Sequence, residues 1–273
     1  MTTQPVSVQL GPVPETLLWT LWHRAVEARR RDTVLRDPLA VELVERIDFP
    51  FAERFGDGRG LSQWQALRAR CFDDTIRRFL AAHAYGTVVA LGEGLETQFW
   101  RVDNGRVRWL TVDLPEVIEL RGRLLPHGPR MRSVACSALD PRWLDEVDAS
   151  RGVLLTAQGL LMYLVPDEVH GLIARVAGRF RGGALVFDAV PTWFARRTLR
   201  DEAADGYQPP PWLWSLDRDE ERRLRELPGV ARLRPLHLPR GRGAVHGFAF
   251  PLATMLPPVR RLLLTVLLAR FRP

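Results

Sequence analysis

Apolar and polar positions recur with two distinct periods along the chain. From Leu61 to Ala84, Trp64, Leu67, Cys71, Ile76, Phe79 and Leu80 return at three- and four-residue steps, the signature of one face of an amphipathic helix. Arg68 and Arg70 fall on different sides of that helix. Residues 14–56 also read as helical: Leu18, Trp19 and Trp22 share a face, and Asp37 caps a helix opened by Pro38, with Leu39, Leu43, Val44 and Ile47 as its buried stripe. After Gly86 the period changes. Val88-Val-Ala-Leu91 is a short continuous apolar run, as expected of a central parallel strand covered on both faces. Arg108–Asp113, Met131–Cys136, Gly152–Ala157 and Gly183–Asp188 predict four more strands. A helix over 114–125 has Pro115 in its first turn. Another opens at Pro166, packs through Val169, Leu172, Ile173, Val176 and Phe180, and stops at Gly182-Gly183. This alternation predicts an α/β fold, a doubly wound Rossmann-like sheet.

Beyond Pro191 the alternation stops. Residues 191–228 hold Trp193, Phe194, Tyr207, three prolines at 209–211, Trp212 and Trp214, rigid and aromatic enough to wall a pocket. Val230–Leu238 and Ala244–Leu252 are expected to pair antiparallel around 239–243, completing seven strands. Residues 259–270 are expected to dock on the domain as a short apolar helix or strand. The predicted organisation is an N-terminal helical cap (1–84) and a core (85–273) carrying a lid or pocket insertion at 191–228.

Composition narrows the function classes. The two cysteines, Cys71 and Cys136, are far apart and lack metal-ligand spacing, so neither a disulfide framework nor a metal site is expected, and a cytoplasmic location fits. The N-terminus lacks the pattern of a signal peptide, and no apolar run reaches a membrane span. The net charge is +7 and all 39 basic residues are arginine. They are interleaved with acids, as in 217–223, so neither nucleic acid nor a membrane surface is an expected partner; a small-molecule substrate is.

The candidate chemistry gathers at strand ends. Gly92-Glu93-Gly94 follows the first strand, where glycines allow a tight turn and close approach of a ligand. A dinucleotide fingerprint requires a third glycine three residues on; Thr97 stands there, which argues against a nicotinamide oxidoreductase. Asp113, at the tip of the second strand, can accept both hydroxyls of a ribose or cap the helix that follows. Ribose without pyrophosphate suggests S-adenosylmethionine. Ser137–Asp140 could meet an adenine edge, or form an ordinary turn. Thr156–Tyr163 lies where open sheets bind ligands.

In order along the chain, Arg24-Ala-x-Glu-Ala28, Arg36-Asp-Pro38, Arg68-Ala-Arg70 with Asp73, Val88-Val-x-Leu-Gly-x-Gly-Leu95, Val112–Val117, Leu139-Asp140 and Gly159–Leu164 resemble the class I S-adenosylmethionine-dependent methyltransferases of the leucine carboxyl methyltransferase group. The closest resemblance is to the bacterial branch of tetracenomycin-type carboxyl O-methyltransferases that tailors polyketides. The resemblance implies that Arg70, and with it Arg24, holds the methionyl carboxylate; that Gly92, Glu93 and Gly94 pass under it; that Asp113 and Leu114 meet the ribose; and that Leu139 and Asp140 flank the adenine, with Gln158 and Gly159 beside the sulfur. The acceptor pocket is expected between residues 15–36, Tyr163 and 191–214, walled by Trp19, Tyr163, Trp193 and Trp212. Such proteins usually read Gly-Ala-Gly-Leu-Asp-Thr-Arg where this chain has Glu93, Glu96 and Gln98, and carry Glu where it has Gln158. Gln98 and Gln158 motivate an alternative: a protein of this fold that binds without transferring methyl, as a scaffold or a cyclisation catalyst. No histidine sits in a recognisable triad. His170 is placed on an exposed helix side, and only His23 and His246 are possible bases. That favours a carboxylate acceptor, ionised already, or a hydroxyl poised by the substrate itself.

Overall fold

The computed structural model describes residues 5–8, 10–199, 209–249, 252, 254, 256, 259 and 262–273. A sheet of seven strands forms its centre: β1 (Thr87–Leu91), β2 (Arg108–Asp113), β3 (Met131–Ala135), β4 (Val153–Ala157), β5 (Ala184–Ala189), β6 (Val230–Leu236) and β7 (Thr265–Phe271). Their spatial order is β3-β2-β1-β4-β5-β7-β6. The first five are parallel, and β7 runs antiparallel between β5 and β6. The order reverses direction at β1 and β4, and ligands bind outside the carboxyl ends of strands at such a switch point.

The apolar runs explain the centre. All five residues of β1 and of β4 are buried, because helices cover both faces. On one face, α7 (Pro166–Arg179) packs Val169, Leu172, Ile173 and Val176 with Trp143, Phe180 and Trp214 against Val89, Leu155 and Leu185. On the other, α4 (Ser62–Ala82) packs Cys71, Phe72, Ile76 and Leu80 against Val88, Ala90, Leu154 and Val186. The helix predicted over 61–84 is therefore a layer of the sheet, and a boundary at 84 would cut through one core. Ahead of it lie α1 (Pro12–Ala28), α2 (Pro38–Arg46) and α3 (Phe51–Phe55). Their cluster continues into α6 (Pro115–Leu124) through Leu18, Leu21, Leu43, Val117 and Leu120. Asp37 caps α2 as expected, its Oδ1 accepting from Ala40 N at 3.1 Å. A short helix α5 (Gln98–Val102) follows the glycine turn.

The C-terminal third departs from expectation. The partner of β6 is β7, built from the apolar tail; the expected strand over 244–252 holds instead a π-helical turn at Val245–Ala249. Val266-Leu-Leu-Ala269 is buried throughout between two strands, whereas the glycines and arginines of 240–243 offer no such run. The expected lid also divides. Helix α8 (Thr192–Leu199) and Trp212 border a cavity, but Trp214 is a core residue, and α9 (Arg218–Glu226) packs beside β6. Tyr207 lies outside the described residues. His170 is half-buried, its Nε2 2.6 Å from Glu220 Oε1. No helix of the described residues is long and apolar enough to cross a membrane.

Candidate active site

One cavity of about 950 Å³ opens at the carboxyl ends of β1, β2 and β4 and runs beneath α1 and α8. Its floor is the turn after β1. Gly92 and Gly94 have φ of +59° and +55°, a region that costs a residue with a Cβ about 1–2 kcal/mol. A Cβ on Gly94 would also lie 3.0 Å from Cβ of Leu17, pushing α1 off the turn. Gly94→Ala is accordingly expected to lower the melting temperature by about 2–4 °C and to weaken nucleoside binding; calorimetric melting with and without S-adenosylhomocysteine checks both.

Asp113 lies against the same turn. Its Oδ2 accepts from Gly94 N at 2.7 Å and its Oδ1 from Leu114 N at 2.8 Å. Each carboxylate oxygen retains a lone pair toward the cavity for a ribose hydroxyl. Burial pushes this carboxyl above the ordinary range; the two backbone N–H groups pull it back only in part. The helix that follows has Leu114 as its capping residue, so Asp113 ties turn to helix without being the cap.

The segment Ser137–Asp140, expected at the adenine edge, reaches the cavity only with its first half. Ser137 and Ala138 line the cavity and Leu139 and Asp140 do not. Leu139 packs against the core, and Asp140 accepts from Arg142 N to start the 3-10 turn Pro141–Glu146. Arg70 is also displaced. Among the described residues its Nη1 reaches Val34 O at 3.5 Å, and the residue does not line the cavity. Arg68 does, 4% exposed and paired through Nη1 with Asp188 Oδ2 at 2.7 Å. Asp188 Oδ1 accepts from Gly159 N at 2.7 Å, so this carboxylate joins α4 to the loop after β4. Two residues along a helix is a rotation of about 200°, which is why only one arginine of the pair can face inward. Helical spacing gave a usable signal: Trp64, Gln65 and Arg68 share the lining face.

Beside Arg68 lies a buried polar network. Arg24 donates to Leu95 O at 2.8 Å and contacts Asp37 and Glu96 at 3.3 and 3.2 Å. Arg101, on α5, reaches Asp37, Asp73 and Glu96 at 2.8, 2.8 and 2.7 Å. Burial drives the Glu96 carboxyl up, but Arg101 and Arg24 outweigh it and hold it at about 2. Gln158 Nε2 donates to Glu96 Oε2 at 3.0 Å, while Gln158 Oε1 is buried without a partner among the described residues. Gln98 donates to Asp73 at 3.2 Å. Glu93 lines the cavity but its carboxylate is occupied elsewhere, by Trp109, Thr111 and Arg121.

The outer half of the cavity is aromatic. Trp19, Tyr163, Trp193 and Trp212 all line it, as expected, joined by Trp64 and Phe194. Phe194 stacks on Trp193 at 5.2 Å and meets Trp212 edge-on at 4.8 Å. Trp193 Nε1 donates to Leu262 O at 2.9 Å, fastening α8 to the segment before β7. Burial pushes the Tyr163 phenol up, leaving it protonated at neutral pH. His23 also faces the cavity, 2% exposed. Burial, then Arg24 and Arg68, push its imidazole down to about 4, so it is neutral at pH 7.

The chain is similar to known methyltransferases. The leucine carboxyl methyltransferase profile matches residues 17–177. The chain is 38% identical over 191 residues to the tetracenomycin polyketide synthesis O-methyltransferase of Streptomyces glaucescens, covering 70% of each chain. It is 31% identical over 202 residues to an S-adenosyl-L-methionine-dependent methyltransferase of Gibberella zeae, covering 67% of each. Among solved structures, a DUF574 family protein from Streptomyces avermitilis superposes with a TM-score of 0.57 at 14% identity, covering 93% of this chain and 97% of that one; that likeness concerns the fold.

Proposed function

We propose that this chain, which belongs to the leucine carboxyl methyltransferase family and is an S-adenosylmethionine-dependent methyltransferase, methylates an oxygen of a small polycyclic acceptor. The observation that carries the proposal is the continuity of the cavity. A nucleoside seat at Gly92, Gly94 and Asp113 opens directly into an aromatic chamber, and the volume of about 950 Å³ lies at the upper end of the range usual for small-molecule sites.

The residues present fit the cofactor. Its ribose has Asp113, its adenine the Ser137–Ala138 edge, and its methionyl carboxylate the buried guanidinium of Arg68, whose Nε has no partner among the described residues. Gln158 Oε1, equally unpartnered, is an acceptor for an ammonium. When bound, S-adenosylmethionine supplies a methyl group on a cationic sulfur. The protein's share is alignment and exclusion of water: Arg68 and Asp188 fix the loop at Gly159, while α8 and Trp212 close the chamber from the side.

Gln98 and Gln158 do not point to a scaffold. Glu96 lies one hydrogen bond from Gln158, is held ionised by Arg24 and Arg101, and lines the cavity. A negative charge is thus retained beside the expected position of the sulfur. The fused-ring acceptor class follows from the aromatic walls and from the polyketide pathway in which the S. glaucescens relative is named. Incubation with methyl-labelled S-adenosylmethionine and a panel of hydroxylated and carboxylated polycyclic aromatics tests the proposal. Label is expected in an organic-soluble ether or ester. Label found in no acceptor while the cofactor binds tightly would sustain the scaffold reading instead.

A further inference from the structure

We propose that the mouth of the cavity docks on an anionic lipid surface, the chain lying on the bilayer without spanning it. The inference goes beyond the methyltransferase reading. Lipid binding is measured without turnover, so either can fail alone.

The first observation is where apolar side chains meet solvent. Val13, Leu61, Trp193, Phe194 and Leu262 line the cavity and are also exposed, Trp193 by 52%. They form an apolar collar at its mouth, drawn from α1, the start of α4, α8 and the segment before β7. The patch continues beside the mouth. The turn Val245–Ala249 is fastened to the first turn of α4: Gln63 Nε2 and His246 Nδ1 share a hydrogen bond of 3.0 Å, and Gln63 Oε1 accepts from Arg242 N at 2.6 Å. Phe248, on that turn, is 71% exposed. Of the thirteen large apolar side chains exposed among the described residues, eight fall within 192–200 and 239–262. Such a concentration marks an interaction surface.

The second observation is charge. The same two stretches carry seven arginines, and all 32 acids of the chain lie outside them. The interleaving of arginines with acids that argued against a membrane surface fails here. Arg196, Arg197 and Arg240 are exposed, and the Arg240 guanidinium lies 5.8 Å from the Phe248 ring. A guanidinium is a good partner for a phosphate headgroup. Helix α8 combines both features: Ala195 and Thr198 face the protein, while Trp193, Phe194 and Leu199 are exposed beside Arg196 and Arg197. Helices that lie in the interface of a bilayer have this composition, with tryptophan at headgroup depth.

The charge also selects the occupant. A second copy meeting the same face would set arginine against arginine with no acid to answer it. A protein seated on the collar would stop the mouth of the cavity. An anionic bilayer satisfies the apolar and the basic parts together. On the reading given above, it would also dissolve the polycyclic acceptor and deliver it to the chamber without passage through water.

Flotation of the whole chain with vesicles tests this, using phosphatidylglycerol mixed with phosphatidylcholine against phosphatidylcholine alone. At low salt the wild type is expected to bind the anionic vesicles at least about tenfold more tightly, and added salt should narrow that margin. Phe248→Ser changes an exposed side chain outside the cavity lining and should weaken binding about tenfold. Arg196→Glu with Arg240→Glu should erase the preference for anionic lipid. Affinity for S-adenosylhomocysteine should be unchanged in both variants. No binding to the anionic vesicles, equal binding to the two compositions, or variants that bind like the wild type would overturn the inference. So would a dimer that Phe248→Ser dissolves in a chain that ignores vesicles, which would give the face to a second copy. The wild-type comparison of the two lipids decides even if a variant fails to fold.

Discussion

Arg101→Met is expected to lower stability by about 3–5 kcal/mol, the usual cost of removing one member of a buried charge cluster. The reason lies in what stays behind. Arg101 donates through Nε and Nη2 to both oxygens of Asp73 and through Nη1 to Asp37 and Thr97, and it contacts Glu96. Asp37, Asp73 and Glu96 are all buried, so three carboxylates would lose their shared counter-ion. For a chain of this size the loss corresponds to a melting temperature lower by about 5–10 °C. Adding Asp73→Asn should return part of it, since one uncompensated charge is then removed; strict additivity of the two changes would contradict the network. The damage should also reach the site, because Glu96 holds Gln158. Differential scanning calorimetry on the single and double variants measures this.

The second large effect concerns Asp113. Asp113→Ala removes two oxygens placed to accept ribose hydroxyls, and charge-assisted bonds of this kind contribute about 1.5–3 kcal/mol each. A loss on the order of a hundredfold in affinity for S-adenosylmethionine is expected. Its pH dependence has a definite sign. Burial raises the Asp113 carboxyl in the free protein, so ionising it there costs stability as pH rises through that raised value. Donation from ribose hydroxyls favours the ionised form. Stabilisation by S-adenosylhomocysteine should therefore be full at neutral pH and shrink on acidification, starting at a higher pH than an ordinary aspartate would give. His23, already neutral above about 4, should add no step near pH 6.5. Thermal shifts recorded from pH 4 to 8 test this; a flat profile would remove Asp113 from the ribose seat.

Much of the fold was legible because it is local. Continuous apolar runs marked β1, β2 and β4, and a three–four periodicity marked α4 and α7, each close to its observed bounds. The misassigned strand illustrates the limit. Strand β7 is set by burial between β5 and β6, a tertiary condition invisible in a run that reads equally well as helix. The site shows the same division. Gly92, Gly94 and Asp113 were readable from turn chemistry and position at strand ends. Arg70 was expected to face the ligand, and Arg68 lines the cavity instead, because which of the two points inward depends on the rotation of α4 about its axis. Asp188 closes β5 of the sheet and reveals itself only by contact with Arg68 and Gly159. Arg24 reaches Leu95 O from 71 residues away in sequence and contacts Glu96 beside it, a distance no local pattern spans. His23 stood out as a possible base, and only the structure shows that it faces the cavity, buried and without a hydrogen-bond partner among the described residues.

The central claim is that the cavity seats S-adenosylmethionine through Asp113 and the inward-facing arginine of α4. Isothermal titration of the wild type, Asp113→Ala and Arg70→Met with S-adenosylmethionine tests it most directly. One site is predicted in the wild type, the same affinity in Arg70→Met, and a loss on the order of a hundredfold in Asp113→Ala. Equal affinity in wild type and Asp113→Ala, or a loss confined to Arg70→Met, would contradict it.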